Sequence, residues 1–154
     1  LNKTKKESRP ARVILVAEDE DDDFLLLHFA YGCTGLPHTL RRVISGSHVI
    51  QYLQACTDGS DQQTFPRPDL LLLDLKMPHM DGVEVLQWLR RSREWSNLPV
   101  VVLCGSNMDG VRETARHLGA RASYTKAIEL KDTQAMLKAI CDEWLGNGAD
   151  GERR

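Results

Sequence analysis

Residues Asp69-Leu70-Leu71-Leu72-Leu73-Asp74 set four consecutive leucines between two aspartates. A run this short, apolar at every position and closed by a carboxylate, reads as a buried strand that surfaces on its last residue. Turn chemistry follows at once, in Leu75-Lys76-Met77-Pro78-His79-Met80-Asp81-Gly82. Near the N-terminus, Val13-Ile14-Leu15-Val16-Ala17 runs straight into Glu18-Asp19 in the same way. If the two strands are parallel neighbours, Glu18, Asp19 and Asp74 converge on one edge of a sheet.

The rest of the chain repeats a strand-then-helix rhythm. Strands are predicted at Arg12–Ala17, His38–Ile44, Asp69–Asp74, Pro99–Leu103 and Ala122–Thr125, the second less apolar and therefore at an edge. The first helix is predicted at Asp23–Tyr31, stopped by Gly32. Ser45 caps a second that turns Val49, Ile50 and Leu53 inward. Gly82–Arg93 buries Val85, Leu86 and Leu89, and Asp109–Leu118 carries the stripe Val111, Ala115 and Leu118, ended by Gly119. The last helix, Leu130–Leu145, turns Leu137, Ile140, Cys141 and Trp144 to one face. Cys56–Pro68, polar and holding Gly59, Pro66 and Pro68, reads as a surface loop. This alternation argues a doubly wound α/β fold, a five-stranded parallel sheet with helices on both faces. It predicts one domain over residues 11–145 with flexible segments at 1–10 and 146–154. Ligands of such sheets sit at the carboxyl ends of the strands, where the three acids fall.

Bulk properties narrow the function classes. The chain has 154 residues, 42% hydrophobic and 27% charged, as in an ordinary globular domain. A net charge of -2 gives no broad attraction to nucleic acid or anionic membrane, and no apolar stretch approaches the roughly 20 residues of a membrane span. Cys33, Cys56, Cys104 and Cys141 show no CxxC spacing and no secretory signal is visible, so reduced thiols in a cytoplasmic protein are expected. The chain begins at Leu1 rather than Met, which fits a processed chain or a piece of a longer one. The acidic run Glu18–Asp23 divides in two. Glu18 and Asp19 belong to the strand end, and Glu20 to Asp23 read as a solvated helix N-terminus that suits the macrodipole. His28, His38, His48, His79 and His117 lack metal-ligand spacing. Arg41-Arg42 and Arg90-Arg91 read as solvated pairs, and Trp88, Trp95 and Trp144 as packing residues.

Three close carboxylates repel one another and raise their pKa values unless a cation intervenes. Mg²⁺ suits such a site, taking oxygen ligands at about 2.0–2.1 Å. Asp19 and Asp74 are the expected direct ligands, Glu18 acts through a water, and the backbone carbonyl of Lys76 is a further candidate. A carboxylate placed like Asp74 can attack a phosphoryl group and become an acyl phosphate. Lys126, at the end of the fifth strand, supplies a cation to pair with Asp74 and then with the phosphate.

These residues resemble the response regulator receiver domain of two-component signalling. Ile-Leu-Val-Ala-Glu18-Asp19 is similar to that family's first strand and acidic pair. Leu-Leu-Leu-Asp74-Leu-Lys-Met-Pro78-His-Met-Asp81-Gly82 is similar to its phosphoacceptor strand and loop, and Ser-Tyr-Thr-Lys126 to its fifth strand and lysine. The long Cys56–Pro68 loop resembles single-domain receivers associated with phytochrome-type histidine kinases. The resemblance implies a flavodoxin-like sheet in the order 2-1-3-4-5 with five helices. It implies that Asp74 is the phosphoacceptor, that Glu18 and Asp19 hold Mg²⁺, and that Lys126 pairs with the phosphate. The implied donor is a phosphohistidine on a histidine kinase or phosphotransfer protein.

Three positions depart from the family pattern. Cys104 stands where a Ser or Thr hydroxyl bonds the phosphoryl group, and a thiol is a weaker donor; Ser106 is two residues on. Ala127 follows the lysine in place of a proline, so a trans bond is expected, able to re-aim the Lys126 ammonium. Ser123 occupies the aromatic switch position, with Tyr124 one place later on the other face. The leading expectation is a phosphoacceptor signalling domain, not an enzyme, whose output is contact with a downstream protein target or phosphorelay. No DNA-binding or catalytic output region is expected in the residues after the last helix, unless a further domain belongs to a longer chain. A homodimer through the last helix and strand is left open by the sequence. The competing expectation is a receiver that keeps the fold but binds partners without phosphorylation. A Mg²⁺-dependent phosphatase is a third, disfavoured because Lys76 stands where a second acid is needed.

Overall fold

In the computed structural model, which describes residues 11–59, 61–77 and 80–146, all strands pair in parallel in the order β2-β1-β3-β4-β5. They are β1 (Val13–Ala17), β2 (Thr39–Val43), β3 (Leu70–Asp74), β4 (Val100–Cys104) and β5 (Ala122–Thr125). Between and after them run α1 (Asp21–Cys33), α2 (Gly46–Thr57), α3 (Gly82–Arg91), α4 (Asp109–His117) and α5 (Leu130–Trp144). The expected doubly wound, flavodoxin-like architecture is observed.

Side-chain alternation along the strands divides the core. Leu15, Ala17, Leu71, Leu73, Val100 and Val102 pack with Val49, Leu53, Val85, Leu86, Leu89 and Ala115 from α2, α3 and α4. Ile14, Val16, Leu70, Leu72, Val101 and Leu103 pack on the other face with residues of α1 and α5. Strand β3 lies at the centre, and none of Leu70 to Leu73 is more than 1% exposed. Burying such a side chain contributes about 1.5–3 kcal/mol. This explains why a strand with no polar alternation is stable only here, covered on both faces.

Several boundaries differ from the sequence reading. Helix α1 starts two residues earlier than expected, at Asp21, and passes through Gly32 to Cys33. It stops at Thr34, whose N–H bonds Tyr31 O, ahead of Gly35 at φ 69°. Helix α2 continues to Thr57, into the expected loop, because the Thr57 hydroxyl bonds the carbonyl of Gln54 at 2.9 Å. Its inward face uses Tyr52 rather than Ile50, and the Tyr52 hydroxyl donates to Pro66 O at 2.7 Å, tying down the following loop. Helix α3 ends at Arg91, not Arg93. Trp95 is buried under the Arg67 guanidinium, 4.1 Å from its ring centroid, so it is a packing residue as expected. Pro78, His79 and the expected flexible segments, apart from Gly146, lie outside the described residues.

Candidate functional site

Parallel pairing puts the carboxyl ends of the strands on one edge, and the register aligns Ala17 with Leu73, Asp74 with Leu103, and Cys104 with Thr125. Glu18-Asp19, Asp74 and Lys126 therefore meet, although they are far apart in sequence, and Cys104 ends the strand between Asp74 and Lys126. The Glu18 N–H donates to Val43 O at 3.0 Å, and the Lys126 N–H to Cys104 O at 2.8 Å, so each of these two side chains leaves from a fixed backbone. Asp74 stays in place because its Oδ1 accepts the Lys76 N–H at 3.0 Å. Gly82 closes the loop behind it. A Cβ there would lie 2.8 Å from the Asp74 carbonyl oxygen and 2.9 Å from Leu75 Cα. Asp81 and Glu84 cap α3 reciprocally, each side chain accepting the other's backbone N–H.

Carboxylate oxygens of Glu18, Asp19 and Asp74 lie within 4.8 Å of one another, the set among the described residues that is close enough to hold a metal ion. Glu18 and Asp74 are buried, at 3% and 5% exposure. Asp19 Oδ1 is also buried and has no hydrogen-bond partner. An orphaned anionic oxygen beside two further carboxylates is what a hard divalent cation satisfies, so the residues fit Mg²⁺. Burial pushes the Glu18 carboxyl up to about 7, the Lys126 hydrogen bond pulling it down and the Asp74 charge adding to the rise.

Lys126 reaches the cluster from β5. Its Nζ lies 2.7 Å from Glu18 Oε2, 3.0 Å from Asp74 Oδ2 and 3.0 Å from Asp23 Oδ2. Burial opposes its charge, but the hydrogen bonds to Glu18, Asp74 and Asp23 outweigh that and hold its pKa above the ordinary lysine value. No peptide bond among the described residues is cis, so Lys126–Ala127 is trans as expected. The expected re-aiming does not follow, since the ammonium contacts Asp74 directly.

Cys104 is fully buried, and its sulfur points to Tyr124 O at 3.7 Å. Burial pushes the thiol's pKa up, leaving it neutral and a weak donor. Ser123 is exposed beside α4, whereas Tyr124 packs with the α1 and α5 side, on the opposite face as expected. Ser106 is exposed in the β4–α4 loop. The Arg112 guanidinium, from α4, donates to Thr125 Oγ1 one residue before Lys126.

Two residues of the site escape sequence reasoning. Asp23, read as part of a solvated helix start, is an acceptor for Lys126. Arg42, read as half of a solvated pair, braces the acidic loop: Nε donates to Glu18 O at 3.0 Å, Nη2 to Asp19 O at 3.3 Å, and Nη1 pairs with Asp21 at 2.8 Å. Its guanidinium also stacks over Phe24, 4.7 Å from the centroid.

Known proteins resemble this chain in sequence and fold. The model of the response regulator receiver domain matches residues 14–138. Response regulator Rcp1 of Synechocystis sp. is 32% identical over 139 residues, covering 90% of this chain and 92% of that protein. The phosphorylated cyanobacterial phytochrome response regulator RcpA superposes with a TM-score of 0.78 at 28% identity, over 93% of this chain and 100% of that one. The Mn²⁺-bound form of Rcp1 does so with a TM-score of 0.75 at 29% identity, over 93% and 99%.

Proposed function

The chain belongs to the response regulator receiver domain family, a family of signalling proteins rather than enzymes, and we propose that Asp74 is its phosphoacceptor. The donor is a phosphohistidine on a histidine kinase or phosphotransfer protein, and the output is a changed protein-binding surface. The observation that carries this reading is the buried Asp74 carboxylate, 3.0 Å from the Lys126 ammonium and within the acid trio. An Asp74 oxygen attacks phosphorus, a P–O bond forms, the P–N bond breaks, and the departing imidazole keeps the electron pair. Glu18, Asp19 and Asp74, with the Lys76 carbonyl, would hold Mg²⁺, which neutralises charge on the transferring oxygens. Lys126 passes from Asp74 to those oxygens, and the Lys76 N–H keeps the carboxylate oriented. Because RcpA is a phytochrome response regulator, a phytochrome-type histidine kinase is the donor class we favour, in the cytoplasm. No described helix is long and apolar enough to cross a membrane.

Incubation with acetyl phosphate and Mg²⁺, read by intact mass, tests the assignment. The expected result is one phosphate adduct on the native protein and none on Asp74→Asn. An adduct that persists in the variant moves the acceptor elsewhere.

A second reading is a receiver that binds partners without phosphate. The buried thiol of Cys104 favours it, directed at Tyr124 O rather than offering a hydroxyl to the site. Titration with beryllofluoride, an acyl-phosphate mimic, separates the two. Amide shifts spreading through β4 and β5 eliminate the phosphate-independent module.

A further inference from the structure

The Lys126 ammonium has three protons, and three carboxylates accept them: Glu18, Asp74 and Asp23. Two of these belong to the trio that fits a divalent cation; Asp23 does not. It stands in the first turn of α1 with its side chain 49% exposed. A cation entering the trio takes charge density from Glu18 and Asp74, the groups that now hold the lysine, and it repels the ammonium at short range. The lysine must then shift, and Asp23 is the acceptor left to it. There is room on that side, where Asp23, Lys126 and Ala127 border a cavity of about 30 Å³ that reaches down to Met136.

We propose that Asp23 is a positioning residue for Lys126, taking its ammonium when metal claims Glu18 and Asp74 and keeping it beside the phosphoacceptor. This rests on the receiver reading above. A partly exposed ion pair is a modest interaction, so the effect is a tuning of metal affinity rather than its creation. Without Asp23 the ammonium has only the metal ligands to pair with, and it competes harder with the cation.

The test is a cycle of Mg²⁺ dissociation constants, from amide shifts, for the native protein, Asp23→Asn, Lys126→Met and the double variant. Asp23→Asn is expected to weaken Mg²⁺ by about two- to fivefold in the native background, the range of such ion pairs. In the Lys126→Met background it is expected to have no effect, since no ammonium needs a second partner. Equal weakening in both backgrounds would mean that Asp23 acts only as a distant charge, and the inference falls; an unchanged constant in the native background also overturns it. A second readout needs no lysine variant. The Asp23 carboxyl carbon resonance is expected to shift along the Mg²⁺ saturation curve, and a resonance that stays put overturns the role. Mg²⁺ that fails to bind the native protein removes the Mg²⁺-dependent phosphoacceptor reading itself, whereas binding indifferent to Asp23 removes only this inference.

Discussion

Glu18 has contradictory neighbours, which makes its ionisation a sensitive probe. It is buried and beside Asp74, yet it touches Lys126 at 2.7 Å. Burial wins, and its carboxyl titrates near 7 instead of 4.5. Between those values the folded protein holds a proton that the unfolded chain has lost, so stability falls as pH rises through the window. The measurement is thermal stability without metal, for the native protein and Glu18→Gln, from pH 4.5 to 8. The native protein should lose stability relative to the variant as pH climbs toward 7. A relative gain would mean that the lysine pairing outweighs burial and that the carboxyl is depressed. Glu18, Asp19 and Asp74 were legible in the sequence because each ends or follows an apolar run that must stop at the sheet edge, and Lys126 because it directly follows the fifth predicted strand, the mixed run Ala122–Thr125. It hid Asp23, which lies 103 residues from Lys126 and sits where acids commonly complement a helix dipole. Arg42 was hidden likewise, because two of its bonds go to backbone carbonyls that no residue pattern marks.

Helices and strands are held by neighbours as much as by their own propensities, and Gly82 shows which influence prevails. It is the first residue of α3, and inside a helix alanine is favoured over glycine by about 0.5–1 kcal/mol. Here an added methyl meets Asp74 O at 2.8 Å and Leu75 Cα at 2.9 Å, both main-chain atoms that cannot swing away. Gly82→Ala should therefore destabilise, by about 1–3 kcal/mol in urea unfolding. A stabilised variant would show that the loop yields and that close approach does not govern the position. The reverse case is Gly32, which the sequence takes as a stop although the helix continues. Its Cβ position is open and it is the next-to-last residue of α1, so its cost is at most the about 1 kcal/mol of a mid-helix glycine. Element type was thus legible from apolar periodicity, whereas ends were set by hydroxyl caps and loop ties such as Tyr52 to Pro66.

Seen across the sheet, anchoring is uneven, and that decides where a charge change at Asp74 can travel. Helices α1 and α5 bury several residues each against the core, while α4 buries only Ala115. Few buried contacts leave an element near the low end of local stability. Strand β5, at the sheet edge beside α4, is half-covered. On the phosphoacceptor reading proposed above, phosphorylation adds about −1.5 to −2 charge at neutral pH, and Lys126, 3.0 Å from Asp74, is the cation proposed to answer it. With Ser123 in place of an aromatic, no ring at that position can rotate between faces. A direct polar link from α4 to the end of β5 is the Arg112 guanidinium on the Thr125 hydroxyl, one residue from Lys126. In the native protein, beryllofluoride should shift amides of the β3–α3 loop, β4, β5 and α4 together. In Arg112→Ala the shifts around Asp74 and Lys126 should remain while those of α4 shrink. Native-like α4 shifts in that variant would show that the helix responds through its packing on β4, and the Arg112 link would have to be given up.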